Sequence, residues 1–291
     1  MLRSFRWQLL TPWLFLAPAL IIFAAFAFWP VLAGAWFSLT DYRLLHTPQF
    51  VGLDNYRALL NNPLFLTGLR NSFLFLLVVP FTQIAALSLA VLVNQPLRGI
   101  HWFRTVFYLP VVTTVSVVGI LWGFMFHEQG TLNYVLLQLK LIHAPLGWLS
   151  DDQLALAAVM FVCFWRGLGW YMVMYLAALQ AVPADLYEAA ELDGAGRWAR
   201  FRYITVPALY PVIAMCTVMS VLAALKAYQE VDVLTQGGPM NSTFTALYYA
   251  YDQGLKHLRI PRGLAASFIV SLICMAIALS GLWLLRPGSK R

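Results

Sequence analysis

The longest polar interruption between two apolar runs of this chain contains Glu188-Ala-Ala-Glu-Leu-Asp-Gly-Ala-Gly196. Just before it, Pro183-Ala-Asp185 is typical of a helix start, because proline suits the first turn and an acidic residue is favoured there. We therefore expect a short helix over residues 184–192. Gly194 suits the position just past the helix end, where a positive φ costs little for a residue that has no Cβ.

A second short helix is predicted from about Arg197. Proline disfavours helix at the residue before it, so we expect this second helix to close near Pro207. The two helices would form a compact helix–turn–helix over residues 183–207. The small side chains of Ala189 and Ala190 would let the surface of another protein approach closely.

The composition is that of an integral membrane protein. The 291 residues are 61% hydrophobic and 11% charged, with a mean hydropathy of +0.73. Soluble domains are about 45–50% apolar and about 25% charged. Cys163, Cys216 and Cys274 lie within apolar runs without metal-ligand spacing, so we interpret them as small hydrophobic core residues.

Six apolar segments are long enough to cross a membrane, which takes about 20 residues of helix. They predict an all-α fold of six spans, at residues 13–39, 73–93, 106–126, 154–179, 208–228 and 264–285. The first could be mistaken for a signal peptide, but a signal's apolar region is about 7–15 residues long and this one is longer. We interpret it as a retained span and expect kinks at Pro18 and Pro30.

The basic residues predict the orientation of these spans. Six spans place both termini on one side together with segments 94–105 and 183–207, and that side has four acidic residues against ten basic ones: Arg3, Arg6, Arg98, Arg104, Arg197, Arg200, Arg202, Arg286, Lys290 and Arg291. The other side has seven basic and eight acidic residues. An excess of Lys and Arg marks the cytoplasmic side. The net charge of +7 is therefore interpreted as a topology signal and not as a nucleic-acid footprint.

The polar loop resembles a known family motif. Glu188-Ala-Ala and Asp193-Gly194-Ala195, followed by Phe201, Ile204, Pro207 and Pro211, are similar to the "EAA" loop of binding-protein-dependent ABC importer permeases. The resemblance implies a coupling helix that sits in a cleft on the ATPase subunit. It assigns the ATPase contact to Tyr187, Glu188, Ala189, Ala190, Asp193, Gly194 and Ala195. The alternative is an ordinary helical hairpin that joins two spans.

Three further motifs look like those of the sugar-importer branch of this family. One is Gly52-Leu-Asp-Asn-Tyr56, which is followed by Arg70-Asn71-Ser72. The second runs from Leu97-Arg98-Gly99 through Phe103-Arg104 to Pro110. The third is Gly237-Gly238-Pro239 with the threonine and tyrosines that follow it. The first and the third of them are also compatible with a purely structural role as a turn.

Arg166 lies close to the middle of the fourth predicted span. A charge at that depth costs about 2.5–3.5 kcal/mol on insertion scales and is normally paired or faces a cavity. With Trp170, and with Tyr228 and Gln229 near the end of the fifth span, it could line a sugar pathway. The alternative is a structural arginine held by groups of a partner subunit. Nearby, Lys226 and Glu230 are four residues apart and could pair, while Trp165 is expected to pack rather than bind ligand.

The resemblance covers nearly the whole chain and implies one domain over residues 1–291 with the type I ABC importer permease fold. The chain would be the first permease of a pair of the maltose or glycerol-phosphate type, in the bacterial inner membrane with both termini cytoplasmic. Its partners would be a second permease, an ATPase dimer and an extracytoplasmic solute-binding protein. ATP and Mg²⁺ would bind the ATPase and not this chain. Relatives of the maltose type carry a large outer insertion that is absent here, so the short outer loops would have to contact the binding protein.

No phosphate-binding loop, paired histidine motif or nucleophile–base constellation occurs in the sequence, so neither an enzyme nor a metal site is predicted. The alternative function is a secondary transporter for a small polar solute. That class would need carboxylates within the membrane, whereas the acidic residues here lie in predicted loops or near span ends. Sugar, polyol and glycerol phosphate remain open as substrates.

Overall fold

A computed structural model describes residues 2–43, 46–95 and 98–284. Leu97 of the second motif and the basic residues Arg286, Lys290 and Arg291 lie outside the described residues. The α-helices of the described part are α1 (Leu2–Phe23), α2 (Trp29–Ser38), α3 (Asp54–Leu60), α4 (Pro63–Leu74), α5 (Val78–Val93), α6 (Ile100–Val112), α7 (Val115–Met125), α8 (Thr131–Gln138), α9 (Ala155–Gln180), α10 (Ala184–Leu192), α11 (Arg197–Arg200), α12 (Val206–Leu225), α13 (Gln229–Leu234), α14 (Ala246–Tyr251) and α15 (Ile260–Leu284).

Five helical segments of the described chain are long and apolar enough to cross a membrane: Pro12–Ser38, Pro63–Val93, Ala155–Gln180, Arg197–Leu225 and Ile260–Gly281. The number rises to six if the bent pair α6 and α7 is one span. The predicted all-α membrane fold is confirmed. Short π-helical turns at Ala24–Phe28 and Phe201–Thr205 join neighbouring helices within two of these segments.

The third predicted span, over 106–126, is not one continuous helix in the structure. Its two halves, α6 and α7, are bent by 103° at residues Thr113 and Thr114. Both threonines have extended backbones, with ψ of 136° and 146°. Two features weaken the helix here. Pro110 has no N–H to donate to a backbone carbonyl of the preceding turn, and the β-branched threonines are poor helix formers. A broken span of this kind cannot be seen from hydropathy alone.

The prediction that the helix from Arg197 closes near Pro207 is wrong. The chain continues as one segment from Arg197 to Leu225. A π-helical turn precedes Pro207, and the backbone N–H of Val206 bonds to the carbonyl of Phe201 five residues earlier. Pro207 then lies in the first turn of α12, a position at which proline is tolerated. The polar loop is therefore one short helix followed by the start of the fifth span.

The chain divides into two compact units, one made of Met1–Asn61 with Ala250–Phe268 and the other of Asn62–Tyr249 with Ile269–Arg291. The prediction of one domain over residues 1–291 stays a prediction. In the larger unit, α5, α9 and α12 pack around Met172, Tyr175 and Leu209. Tyr175 donates to Gln83 Oε1, so both polar side chains are satisfied inside this apolar core.

A second core in the larger unit lies between α7 and α9. Trp122 meets Trp165 edge-on, with ring centroids 5.3 Å apart, and Val162 is fully buried beside them. Trp165 therefore packs, as predicted. Asn133 organises the loop after α7, because its amide donates to the carbonyls of Glu128 and Leu146 at 3.0 and 2.9 Å.

Candidate functional site

The predicted coupling helix forms as α10, with the bounds expected from the sequence. Gly194 follows it with φ of 77°. The amide of Gly194 bonds to the carbonyl of Glu191 at 3.0 Å and that of Ala195 to the carbonyl of Ala190 at 2.8 Å. These two bonds define a Schellman motif, which ends a helix with a left-handed residue. The prediction for Gly194 is confirmed, and its position sets where the chain turns after α10.

Helix α10 is exposed, and none of its residues is buried. Glu188, Ala189 and Asp193 are exposed, while Tyr187, Ala190 and Ala195 are partly covered. Large apolar side chains stand beside these polar groups, with Leu192 90% and Trp198 74% exposed. Exposed apolar side chains rimmed by polar residues are typical of surfaces that contact another protein or the membrane. We name residues 184–203 the coupling surface.

Two side-chain contacts tie α10 to the beginning of the fifth span. Arg200 Nη1 donates to Glu191 Oε2 at 2.8 Å. The hydroxyls of Tyr187 and Thr205 are 3.0 Å apart, and Thr205 is buried. A force applied to α10 would therefore reach the segment Arg197–Leu225 through both ends of the short helix.

A cleft of about 170 Å³ lies in the larger unit between α5, α9, α12 and α13. The residues that line it include small ones such as Gly167 and Ala223, while Thr82, Tyr171 and Ser220 supply hydroxyl groups. The charged residues among those that line it are Arg166 and Glu230. We name this space the central cleft.

Arg166 is paired, and the partner belongs to the same chain. Its Nη1 lies 2.7 Å from Glu230 Oε1, with the side chains 30% and 12% exposed. The expectation that groups of a partner subunit would hold this arginine is therefore replaced by an internal ion pair. Glu230 pairs with Arg166 rather than with Lys226, because α13 turns away from α12 at Lys226 and brings Glu230 against α9.

The other predicted pathway residues do not join Arg166 in the cleft. Trp170 is 42% exposed, and neither it nor Tyr228 nor Gln229 lines the central cleft. Gly169, one residue before Trp170, packs so closely on α6 that a Cβ would lie 2.1 Å from the carbonyl oxygen of Phe107. The sequence analysis missed Thr82 and Ser220. Their polarity inside apolar spans was the signal that could have found them.

The Gly237-Gly238-Pro239 turn is fixed by buried polar contacts and not by backbone alone. Thr243 Oγ1 donates to the carbonyl of Gly238 at 2.8 Å and contacts the hydroxyl of Thr235 at 2.7 Å. From the start of the second span, Asn71 Nδ2 donates to the carbonyls of Ser242 and Phe244 at 2.7 and 2.9 Å. Asn71 of the Arg70-Asn71-Ser72 motif thus holds the loop that contains the glycine turn.

The remaining motifs cap helices. Asn55 Nδ2 donates to the carbonyls of Ser38 and Thr40 at 2.9 and 2.8 Å, which satisfies groups at the end of α2. Arg104 donates from Nε and Nη2 to the carbonyl of Val93 at 3.2 and 2.7 Å and so caps α5. The structural interpretation of these motifs is therefore supported residue by residue.

Comparisons with known proteins agree with this architecture. Residues 79–286 match the sequence model of a protein family, which is described as "binding-protein-dependent transport system inner membrane component". A probable ABC transporter permease protein of Pyrococcus horikoshii is 34% identical over 281 residues, 96% of each chain. A lactose transport system permease protein of Rhizobium radiobacter is 38% identical over 244 residues, 82% of each chain. The solved structure of a bacterial ABC transporter involved in import of the acidic polysaccharide alginate has a TM-score of 0.84 at 22% identity, covering 98% of this chain and 99% of that chain.

The long apolar helices, and the exposed helix α10 between two of them, are typical of a multi-pass membrane subunit of a transport system. The chain belongs to the family of binding-protein-dependent transport system inner membrane components, because the family model and the relatives cover most of its length. It is an ABC transporter permease and not an enzyme. The alternative of a secondary transporter is set aside by this membership.

Proposed function

We propose that this permease is the membrane subunit of an ATP-driven sugar importer. It forms the translocation pathway together with a second permease, and an ATPase dimer docks on the coupling surface. ATP and Mg²⁺ bind the ATPase. The observation that carries this proposal is α10 itself, which has no buried residue, has large apolar side chains beside it and is tied to the fifth span by the contacts of Arg200 and Tyr187.

The proposed orientation places both termini and α10 in the cytoplasm of a bacterial inner membrane. It rests on the excess of basic residues on that side. The Gly237-Gly238-Pro239 turn then lies outside, where an extracytoplasmic solute-binding protein delivers the substrate.

We assign the substrate pathway to the central cleft. Its charges cancel, because Arg166 and Glu230 face each other at 2.7 Å, and the remaining polar groups are hydroxyls. An uncharged sugar can exchange hydrogen bonds with such groups, whereas an anion would have to compete with Glu230 for the arginine. The relatives include a lactose transport permease protein and also sn-glycerol-3-phosphate transport permease proteins, so the neutral cleft and not the relatives carries the choice of an uncharged sugar.

The test is purification of the tagged chain from native membranes, followed by reconstitution into proteoliposomes. We expect an ATPase and a second permease to co-elute, and lactose uptake to require ATP and the solute-binding protein. Uptake should be blocked by vanadate and should survive an ionophore that collapses ion gradients. Uptake that an ionophore abolishes and ATP does not drive would contradict the proposal.

A further inference from the structure

A second cleft, of about 530 Å³, lies within the smaller unit. It is formed by the chain just after the first span and by the start of α15, and Asn55 lines it between them. Three arginines stand around it, Arg43, Arg259 and Arg262. All three are exposed. We name it the arginine cleft.

The charge of the arginine cleft is not balanced within the part of the chain that the structure describes. Its one acidic lining residue is Asp41, and Asp41 Oδ1 already accepts a hydrogen bond from the amide of Gln49 at 2.8 Å. Arg259 donates to Gln253 Oε1 at 3.3 Å, a neutral group. Among the described residues, no ion pair involves any of the three arginines. The guanidinium groups therefore present positive charge to the outside of the unit.

The position of two arginines increases this positive field. Arg259 directly precedes α15, which begins at Ile260, and Arg262 is the third residue of that helix. The N-terminal end of a helix carries a partial positive charge, so cations there are unfavourable for the helix itself. Arg259 and Arg262 do not stabilise α15 electrostatically, and an external carboxylate would interact favourably with the arginines and with the helix end together.

We infer that the arginine cleft is a docking site for acidic side chains on the solute-binding protein. This inference rests on the proposed function and orientation, which put the cleft on the outer face. Guanidinium groups bind carboxylates through two parallel hydrogen bonds, which gives the contact a defined orientation as well as attraction. The outer loops are short, so a charged cleft close to the membrane offers a partner contact that an extended loop would otherwise supply.

The test measures ATPase activity of the purified complex in nanodiscs as its solute-binding protein is titrated. Variants R43E, R259E and R262E, singly and combined, are compared with R57E. Arg57 belongs to the same unit and is 76% exposed, yet it pairs with Asp54 and does not line the cleft. We expect the triple variant to need about tenfold more binding protein for half-maximal stimulation, with basal ATPase unchanged and R57E like wild type.

Salt gives a second readout. Raising the ionic strength should weaken stimulation of the wild-type complex and have little effect on the triple variant, because exposed charge interactions are screened beyond about 10 Å at 0.1 M salt. If the glutamate variants fail to assemble, R43Q, R259Q and R262Q remove the charge without reversing it. They should give a smaller shift in the same direction.

Three results would overturn the inference. Wild-type half-saturation in the assembled charge variants would exclude docking through these arginines. A change in basal activity that follows the anionic lipid content of the nanodisc, without any shift in the binding-protein titration, would assign the cleft to lipid headgroups. Absence of any stimulation of the wild-type complex would remove the proposed function itself, and the wild-type titration therefore separates the two failures.

Discussion

Arg166 on α9 donates from Nη1 to Oε1 of Glu230 on α13 over 2.7 Å. The two side chains are mostly withdrawn from solvent, so each charge depends on the other for compensation. The pair makes the central cleft neutral and fixes α13 against α9. It also explains why a charge can lie in the middle of the span without a partner subunit.

The first prediction concerns the free energy of this pair. Arg166→Met and Glu230→Gln should each lower stability by about 2 kcal/mol, because each leaves a partly buried charge alone. The double variant R166M/E230Q should cost clearly less than the two single costs added together, since it leaves no charge behind. Thermal unfolding of the purified complex measures all three.

The matched control is the ion pair of Asp54 and Arg57, whose side chains are 69% and 76% exposed. D54N and R57M should each change stability by less than about 0.5 kcal/mol, as exposed pairs do. Strict additivity of R166M and E230Q would contradict the assignment of the cleft pair as a coupled unit.

The second prediction concerns Asn71, which is almost fully buried and donates to two carbonyls of the loop between α13 and α14. Asn71→Ala would leave those carbonyls without their donor, at a cost of about 2 kcal/mol. We expect a lower unfolding temperature and faster proteolysis of the loop around Met240. Asn61→Ala is the control, because Asn61 is exposed and its amide bonds to the carbonyl of Arg57. An Asn71→Ala variant as stable as Asn61→Ala would show that this contact does not hold the loop.

Local features of this chain could be predicted from the sequence, and distant pairings could not. The bounds of α10 and the role of Gly194 follow from residues within one turn of the helix, where start and stop signals act. Arg166 and Glu230 are 64 positions apart. Their pairing depends on how α13 folds back after Lys226, and no periodicity within one segment contains that information.

The helix end predicted near Pro207 is wrong, and the break that follows Pro110 in the third span was not predicted. Pro207 is accommodated because a π-helical turn precedes it, and no start or stop signal in the sequence marks that turn. Pro110 lies inside α6, where the helix continues for two more residues before it breaks at Thr113. Whether a proline bends a helix, ends it or is accommodated within it depends on the packing around that proline. This packing cannot be read from the sequence.

The third prediction tests the proposed orientation. Met240 is 90% exposed, and nothing lies within 4 Å of a Cβ built at Gly196, so a cysteine at either position is accessible to reagents. With the three native cysteines replaced by alanine, an impermeant maleimide should label M240C in intact cells. It should label G196C only after the membrane is permeabilised. Labelling of G196C in intact cells would reverse the orientation.

The fourth prediction tests the coupling role of α10 through two glycines of the same loop. Gly194 has φ of 77° and Gly196 has φ of −65°, and both have open space around them. A threonine at Gly194 must adopt a left-handed backbone at a cost of about 1–3 kcal/mol, whereas threonine at Gly196 is comparable to glycine as a helix cap. We therefore expect the threonine at Gly194 to change the direction of the chain after α10, and the threonine at Gly196 to leave it unchanged.

Under the proposed function, the measurement is ATP-driven sugar uptake, with lactose as the probe, into proteoliposomes that contain the complex with G194T or G196T. The amount of ATPase that co-purifies with each variant is measured as well. We predict that G194T lowers uptake about tenfold or more and reduces the bound ATPase, because the coupling surface is misdirected. G196T should stay within about twofold of wild type. Wild-type uptake and ATPase retention in the assembled G194T complex would contradict the claim that α10 transmits the force of ATP hydrolysis to the membrane spans.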